Sequence, residues 1–126
     1  AAARPAEVHS FLDDMEVQFA NADLVVCRSG ATTCAELTAA GKAAILVPFA
    51  GAADDHQRIN ARALCAAGAA RMIEEKDLAG EVLGRAVKDL LDDRGALPAM
   101  ERAARALGRP DAAARVIDLL LEPARV

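Results

Sequence analysis

One stretch constrains the fold of this chain more than any other: Asp23-Leu-Val-Val-Cys-Arg-Ser29-Gly-Ala-Thr-Thr33-Cys-Ala-Glu36-Leu-Thr-Ala-Ala-Gly41. Leu24 to Cys27 is a short continuous apolar run, the pattern of a strand covered on both faces. Ser29, Gly30 and Ala31 are small enough for a tight turn and for a ligand to come close to the backbone. A helix is expected to follow, from about Thr32 to Ala40, closing on Gly41 at the C′ position. Its first turn presents unpaired N–H groups and the positive end of the helix dipole. Such an end is suited to a phosphate.

The rest of the chain continues the alternation. Val8 to Leu12 reads as a short strand, and Met15 to Asn21 has the apolar spacing of one or two helical turns. Ala43 to Val47 is a further apolar strand, stopped by Pro48. Asp54 and Asp55 are placed to cap a helix from about His56 to Ala67, ended by Gly68. Arg71 to Glu74 reads as another strand. Asp77 is expected to cap a helix reaching about Leu91, another helix starts near Pro98, and the last spans Asp111 to Leu121. Strands and helices alternating at this spacing imply βαβ units on a parallel sheet. With 126 residues, the expectation is a single three-layer α/β domain.

Composition narrows the possible partners. The chain is 54% hydrophobic yet only 2% aromatic, with no Trp or Tyr, which argues against an aromatic platform for stacking bases. A net charge of −4 argues further against a nucleic-acid partner. The three cysteines, Cys27, Cys34 and Cys65, form no CxxC pair and read as buried free thiols of a reducing cytoplasm. The longest apolar run, Ala43 to Ala53, contains Pro48 and is too short to cross a bilayer.

Ligands of an open parallel sheet collect beyond the carboxyl ends of its strands. Three polar or small-residue segments leave strands there: Leu12 to Asp14, Ser29 to Thr33, and Phe49 to Gln57. The small residues at Ser29 to Thr33 serve either a phosphate or merely a turn, with Ser29 or Thr32 as the cap. Glu36 has two readings. It completes a capping box with Thr33, or, from the second turn, it accepts the hydroxyls of a ribose through charge-assisted hydrogen bonds. His56 and Gln57 project from a helix start toward the same edge and suit sugar hydroxyls. Nothing in the sequence orients His56 as a general base. A Ser29 nucleophile lacks the G-x-S-x-G frame, and a Cys34–His56 pair is equally unsupported. Asp13-Asp14 and Asp54-Asp55 read as helix caps rather than metal ligands, and no metal or cofactor is expected.

These residues resemble the donor-binding domain of the MurG family, the N-acetylglucosaminyltransferases of the GT-B fold that use UDP-N-acetylglucosamine. The matching runs are Phe11-Leu-Asp-Asp-Met15, Ala22 to Thr33 with Glu36, Leu46-Val-Pro-Phe49, Ala53-Asp-Asp-His-Gln57 with Asn60-Ala-Arg-Ala63, and Ala66 to Ala70. The likeness extends over about residues 8 to 121. It implies a Rossmann-like three-layer domain forming the C-terminal half of such an enzyme. Backbone groups of Phe11 and Leu12 would then face the uracil. Ala31, Thr32 and Thr33 would hold the diphosphate, Ser29 and Gly30 would shape the turn, and Glu36 would bind the ribose. His56 and Gln57 would contact the N-acetylglucosamine.

The resemblance also implies what lies elsewhere. The acceptor-binding N-terminal half and the beginning of the donor domain are not among these residues, so the chain is expected to be a partial donor-binding domain, residues 1–126, inactive alone. The catalytic base, the lipid-linked muramyl pentapeptide acceptor and the membrane contact would belong to the missing half. The parent would be a peripheral protein on the cytoplasmic face of the bacterial inner membrane, making lipid II from lipid I for peptidoglycan. Two alternatives remain open: another GT-B glycosyltransferase using a UDP-sugar, or a non-catalytic nucleotide-binding or interaction domain.

Overall fold

The computed structural model describes residues 4–51 and 53–123. In chain order its elements are α1 (Met15–Asn21), β1 (Val25–Cys27), α2 (Ala31–Ala40), β2 (Ala44–Leu46), α3 (His56–Ala66), β3 (Ala70–Met72), α4 (Gly80–Asp92), α5 (Ala96–Leu107) and α6 (Ala112–Leu121). Single 3₁₀ turns at Ala53–Asp55 and Glu75–Asp77 precede α3 and α4.

The three strands form a parallel sheet in the order β1-β2-β3, with Val26 opposite Ile45 and Ile45 opposite Arg71. Period-two alternation sends Ala44 and Leu46 to one face and Ala43, Ile45 and Val47 to the other. On the first face they join Phe19 of α1, Leu37 of α2 and Ala61 of α3. On the second they meet Leu90 of α4 and Met100 of α5. This is the three-layer arrangement expected from the sequence, and it explains why β2 is apolar at every position. Leu37, Ile45, Leu46 and Leu90 are fully buried; burying each such side chain stabilises the fold by about 1.5–3 kcal/mol.

Two glycines fix how α2 meets its surroundings. Gly41 ends α2 at φ 68°, the left-handed conformation that glycine adopts without strain. Gly108, at the end of α5, lies so close to α2 that a Cβ there would stand 2.5 Å from the Thr38 carbonyl oxygen. The end of α5 therefore packs directly against the last turn of α2.

Several expected elements differ. Val8 to Leu12 is irregular rather than a strand, and Val8 and Phe11 are 96% and 81% exposed. A strand needs a neighbour for its N–H and C=O groups, and among the described residues none lies beside this segment. Asp77 does not cap the following helix, which begins at Gly80 after an Ala79 N-cap; Asp77 ends the 3₁₀ turn instead. The helix expected near Pro98 is present as α5, with Pro98 its third residue and in the first turn. Asp54 and Asp55 make no capping hydrogen bond, and both adopt positive φ, 53° and 59°.

Candidate functional site

The loops leaving β1, β2 and β3 converge at one edge of the sheet. After β1 the chain passes through Arg28, Ser29 and Gly30 into α2. Gly30 is the N-cap, with extended backbone (φ −62°, ψ 154°) and no side-chain capping bond. Its φ is one that any residue adopts, so the turn does not depend on glycine's freedom. A Cβ here would lie 3.9 Å from the Gln57 amide nitrogen, an ordinary van der Waals contact, so the Gln57 amide stands beside the turn without crowding it. The first bond of α2 runs from Cys34 N–H to the Gly30 carbonyl at 3.0 Å. The N–H groups of Ala31, Thr32 and Thr33 precede it and have no capping side chain. Ala31 and Thr32 are exposed and Thr33 is half-buried.

Ser29 is neither cap nor nucleophile. It is fully buried, and its hydroxyl donates to the Gln57 carbonyl at 2.7 Å. Gln57 reciprocates through its side chain: Oε1 accepts the N–H of Ser29 at 3.3 Å and that of Phe49 at 2.9 Å. Asn60, one turn further along α3, donates to the Ser29 carbonyl at 3.0 Å. The start of α3 is thus fastened to the start of α2 and to the exit of β2. The anchoring role of Asn60 was not foreseen; its spacing from Gln57 along one helix face was the available signal. Gln57 is also not wholly free for a ligand, because its oxygen is engaged and only its NH₂ group remains to donate.

Glu36 lies in the second turn of α2, six residues beyond Gly30. Thr33 is not the N-cap, so the capping-box reading of Glu36 is excluded. The carboxylate is exposed and borders a cleft of about 870 Å³ between α1 and α2, lined also by Asp13, Met15, Phe19, Ala39 and Ala40. This cleft meets the other site residues only through Glu36, since Ser29 to Thr33 and Gln57 are not part of its lining. Phe11 is exposed and Leu12 half-buried, and no hydrogen bond among the described residues involves either. His56 is exposed, with Nε2 3.8 Å from an Asp54 carboxylate that is itself 87% exposed. So loose a pair does not hold an imidazole in place for proton transfer.

Charge at the edge is arranged in two ion-paired groups. Arg28 pairs with Glu75 at 2.8 Å, and Arg58 with Glu74 at 2.7 Å and Asp55 at 2.9 Å. The Arg58 guanidinium holds the Glu74 carboxyl below its usual range, chiefly through their hydrogen bonds. The thiols are of the opposite kind. Burial raises Cys34 and Cys65, and raises Cys27 to about 11, so all three are protonated and unreactive near neutrality. That removes a Cys34–His56 nucleophile, and the buried Ser29 removes a serine one. Among the described residues no group of three or more His, Cys, Asp or Glu side chains could hold a metal ion. No described helix is long and apolar enough to cross a membrane.

A parallel three-layer sheet with an uncapped helix start at its carboxyl edge defines the class: a Rossmann-like α/β domain of the kind found in nucleotide-dependent enzymes. The glycosyltransferase family 28 C-terminal domain matches residues 2–116, and the chain belongs to that family. A UDP-N-acetylglucosamine--N-acetylmuramyl-(pentapeptide) pyrophosphoryl-undecaprenol N-acetylglucosamine transferase from Anaeromyxobacter dehalogenans is 55% identical over 94% of the chain. The similarly named protein of Myxococcus xanthus is 53% identical over 93%. The chain spans only 31% and 30% of these relatives' lengths.

Among solved structures, Acinetobacter baumannii MurG superposes with a TM-score of 0.81 at 39% identity, covering 90% of this chain and 32% of that one. The glycosyltransferase of kitacinnamycin superposes with a TM-score of 0.68 at 27% identity, covering 92% of this chain and 30% of that one. The fold is that of the C-terminal half of a GT-B glycosyltransferase, as the sequence implied.

Proposed function

We propose that this chain is the part of an inverting N-acetylglucosaminyltransferase that binds UDP-N-acetylglucosamine. The observation that carries the reading is the open start of α2. Ala31, Thr32 and Thr33 offer uncapped N–H groups there, with the Gln57 amide beside Gly30 and the free Glu36 carboxylate one turn on. The names of the relatives supply the sugar and the nucleotide.

On this reading the diphosphate sits at the α2 start, where the N–H groups and helix dipole favour negative charge. Glu36 accepts the ribose hydroxyls. Backbone groups of Phe11 and Leu12 face the uracil. Ser29 and Gly30 act indirectly by shaping the turn, which Ser29 anchors to Gln57. Gln57 donates its NH₂ toward the ligand, and His56 contacts the sugar. As the bond to the anomeric carbon breaks, charge grows on the departing UDP, and the same N–H groups stabilise it. Displacement from the opposite face inverts the anomeric centre.

Residues 1–126 form a partial donor domain in this proposal. The acceptor, a lipid-linked muramyl pentapeptide whose conversion gives lipid II, is bound by the part of the relatives outside the matched third. Membrane contact belongs there too, on the cytoplasmic face. The other GT-B likeness, to the kitacinnamycin enzyme, supports this particular substrate less, because its identity is much lower.

The test is titration with UDP, UDP-N-acetylglucosamine and ADP, followed by two-dimensional amide NMR, on the native chain and on Glu36→Ala. Shifts at Leu12, Ser29 to Thr33 and position 36, selective for uridine and weakened by the substitution, support the reading. A folded spectrum indifferent to all three ligands rejects it for this chain.

A further inference from the structure

Two adjacent carboxylates leaving β3, Glu74 and Glu75, hold opposite ends of the connection between β2 and α3. Neither belongs to the ligand-contacting set. Glu75 Oε2 accepts the Ala50 N–H at 3.2 Å, while Oε1 pairs with Arg28 Nη2 at 2.8 Å. Arg28 also donates to the Val47 carbonyl at 3.3 Å, and its guanidinium lies 5.7 Å from the centre of the Phe49 ring. At the other end, Glu74 receives Nε and Nη2 of Arg58 at 3.0 and 2.7 Å, and Arg58 Nη1 reaches Asp55 at 2.9 Å.

Phe49, Ala50 and Gly51 are all exposed. A connection with so little buried apolar surface draws its order from polar contacts such as these. The two ends are not equivalent. The Glu74–Arg58 fork fixes the first turn of α3, which the Ser29–Gln57–Asn60 bonds also fix. At the exit of β2, Val47 N–H still bonds the Cys27 carbonyl at 2.9 Å, and Val47 and Pro48 are buried. Beyond them, among the described residues, the tethers are the Gln57 bond to Phe49 and the contacts of Glu75 and Arg28. Because Arg28 is the residue before Ser29, Glu75 also ties that exit to the turn that opens α2.

We propose that Glu75, acting with Arg28, is a positioning residue: it fixes the exit of β2 against the α2 turn and thereby sets the preference for a nucleotide-sugar over the bare nucleotide. The reasoning is spatial. The β2–α3 connection leads into His56 and Gln57, on the sugar side, whereas Glu36 lies on the ribose side along α2. Loosening the connection costs contacts with the sugar and leaves contacts with the nucleotide. The ligand half of this inference rests on the donor-site reading above; the tether itself does not.

The experiment compares the native chain with Glu75→Ala and Glu75→Gln. Amide hydrogen exchange is followed by NMR, and affinities are measured for UDP and UDP-N-acetylglucosamine. In Glu75→Ala the Ala50 amide should exchange about tenfold faster while Ile45 and Leu46 keep their protection. The UDP-N-acetylglucosamine preference over UDP should fall about fivefold, with UDP affinity itself unchanged. Glu75→Gln retains an oxygen for the Ala50 N–H and should recover most of the lost protection.

Unchanged exchange at Ala50, or faster exchange throughout the core, overturns the tether. A loosened Ala50 with an unaltered preference between the two ligands overturns its role in recognition. If the native chain binds neither ligand, the donor-site reading fails and takes the recognition half with it, while exchange at Ala50 still decides the tether.

Discussion

The Ser29 hydroxyl donates to the backbone carbonyl of Gln57 at 2.7 Å, and the Gln57 side-chain oxygen accepts the Ser29 N–H at 3.3 Å. This reciprocal pair, with the additional bond from Phe49 N–H, makes Gln57 an acceptor for the protein and a donor for a ligand. The two roles separate by substitution. Gln57→Glu keeps an oxygen for both N–H groups and loses the NH₂ donor, placing negative charge near the α2 start. Thermal stability should change by less than about 1 kcal/mol, while UDP affinity falls at least about tenfold through lost donation and charge repulsion. Gln57→Leu leaves two N–H groups unpaired and should destabilise the fold by about 1–3 kcal/mol. Thermal unfolding beside nucleotide titration distinguishes the variants. Equal loss of stability in both would show that the glutamine oxygen is not the structural contact.

Glu36 offers a cleaner dissection, because the structure leaves it without a capping role. Its side chain is exposed and makes no hydrogen bond among the described residues. Glu36→Gln should therefore leave stability within about 0.5 kcal/mol of the native value. A carboxylate accepting a ribose hydroxyl gives a charge-assisted bond, so UDP affinity should fall by roughly 1.5–3 kcal/mol, about ten- to a hundredfold. A 2′,3′-dideoxy analogue of UDP should show no difference between native and variant. Unfolding of Glu36→Gln at a lower temperature, with UDP affinity intact, would return the residue to a structural role.

The packing of α5 on α2 predicts two unequal glycine substitutions. Gly41→Ala puts a side chain on a left-handed residue, at about 1–2 kcal/mol, and its Cβ would meet Arg105, whose flexible side chain can move aside. Gly108→Ala meets the backbone carbonyl of Thr38 at 2.5 Å, which cannot move without shifting α2. That overpacking should cost about 1–3 kcal/mol and also disturb the N-terminal turn of the same helix. Amide shifts at Ser29 to Thr33 in Gly108→Ala, absent from Gly41→Ala, are the expected signature. Calorimetry should place Gly108→Ala several degrees below the native chain.

Much of the fold was legible because its local signals agree with its tertiary needs. Continuous apolar runs at Leu24–Cys27 and Ala43–Val47 announce strands buried on two faces, and Gly41 and Gly68 mark helix ends where positive φ is in fact adopted. The misreadings have particular causes. Val8–Leu12 carries a strand-like pattern, but pairing is a property of the neighbour as much as of the segment. Asp54, Asp55 and Asp77 have the chemistry of caps, yet the chain enters α3 through two left-handed residues and α4 through Ala79. At the candidate site, the residue types of Ser29, Glu36 and Gln57 were legible, but the direction of their bonds was not. That Ser29 points inward to Gln57, and that Glu75 reaches Ala50 across 25 residues, follows from tertiary proximity that no local pattern encodes.

The thiols and the Arg58–Glu74 pair together set a stability profile with pH. Burial, with a smaller push from Cys34, raises the Cys27 pKa from 9.0 to about 11. Between these values the unfolded chain releases a proton that the folded chain keeps, so stability is whole below about pH 9 and declines toward pH 11. Cys34 and Cys65, also raised by burial, add to the same decline. Glu74 acts in the other direction: its pKa is lowered by Arg58, so its contribution is present above the usual glutamate range and lost as pH falls through the depressed value. Lys88, paired with Asp92, is held above its ordinary 10.5, so measurements between pH 9 and 10 isolate the thiols best. Urea midpoints should be flat from about pH 6 to 8 and drop between pH 9 and 10, and Cys27→Ala should make that drop shallower. Added salt should weaken the acid limb modestly, because the Arg58–Glu74 pair is half-buried, and leave the alkaline limb nearly unchanged. An alkaline limb identical in native chain and Cys27→Ala would assign the loss of stability to groups other than this thiol.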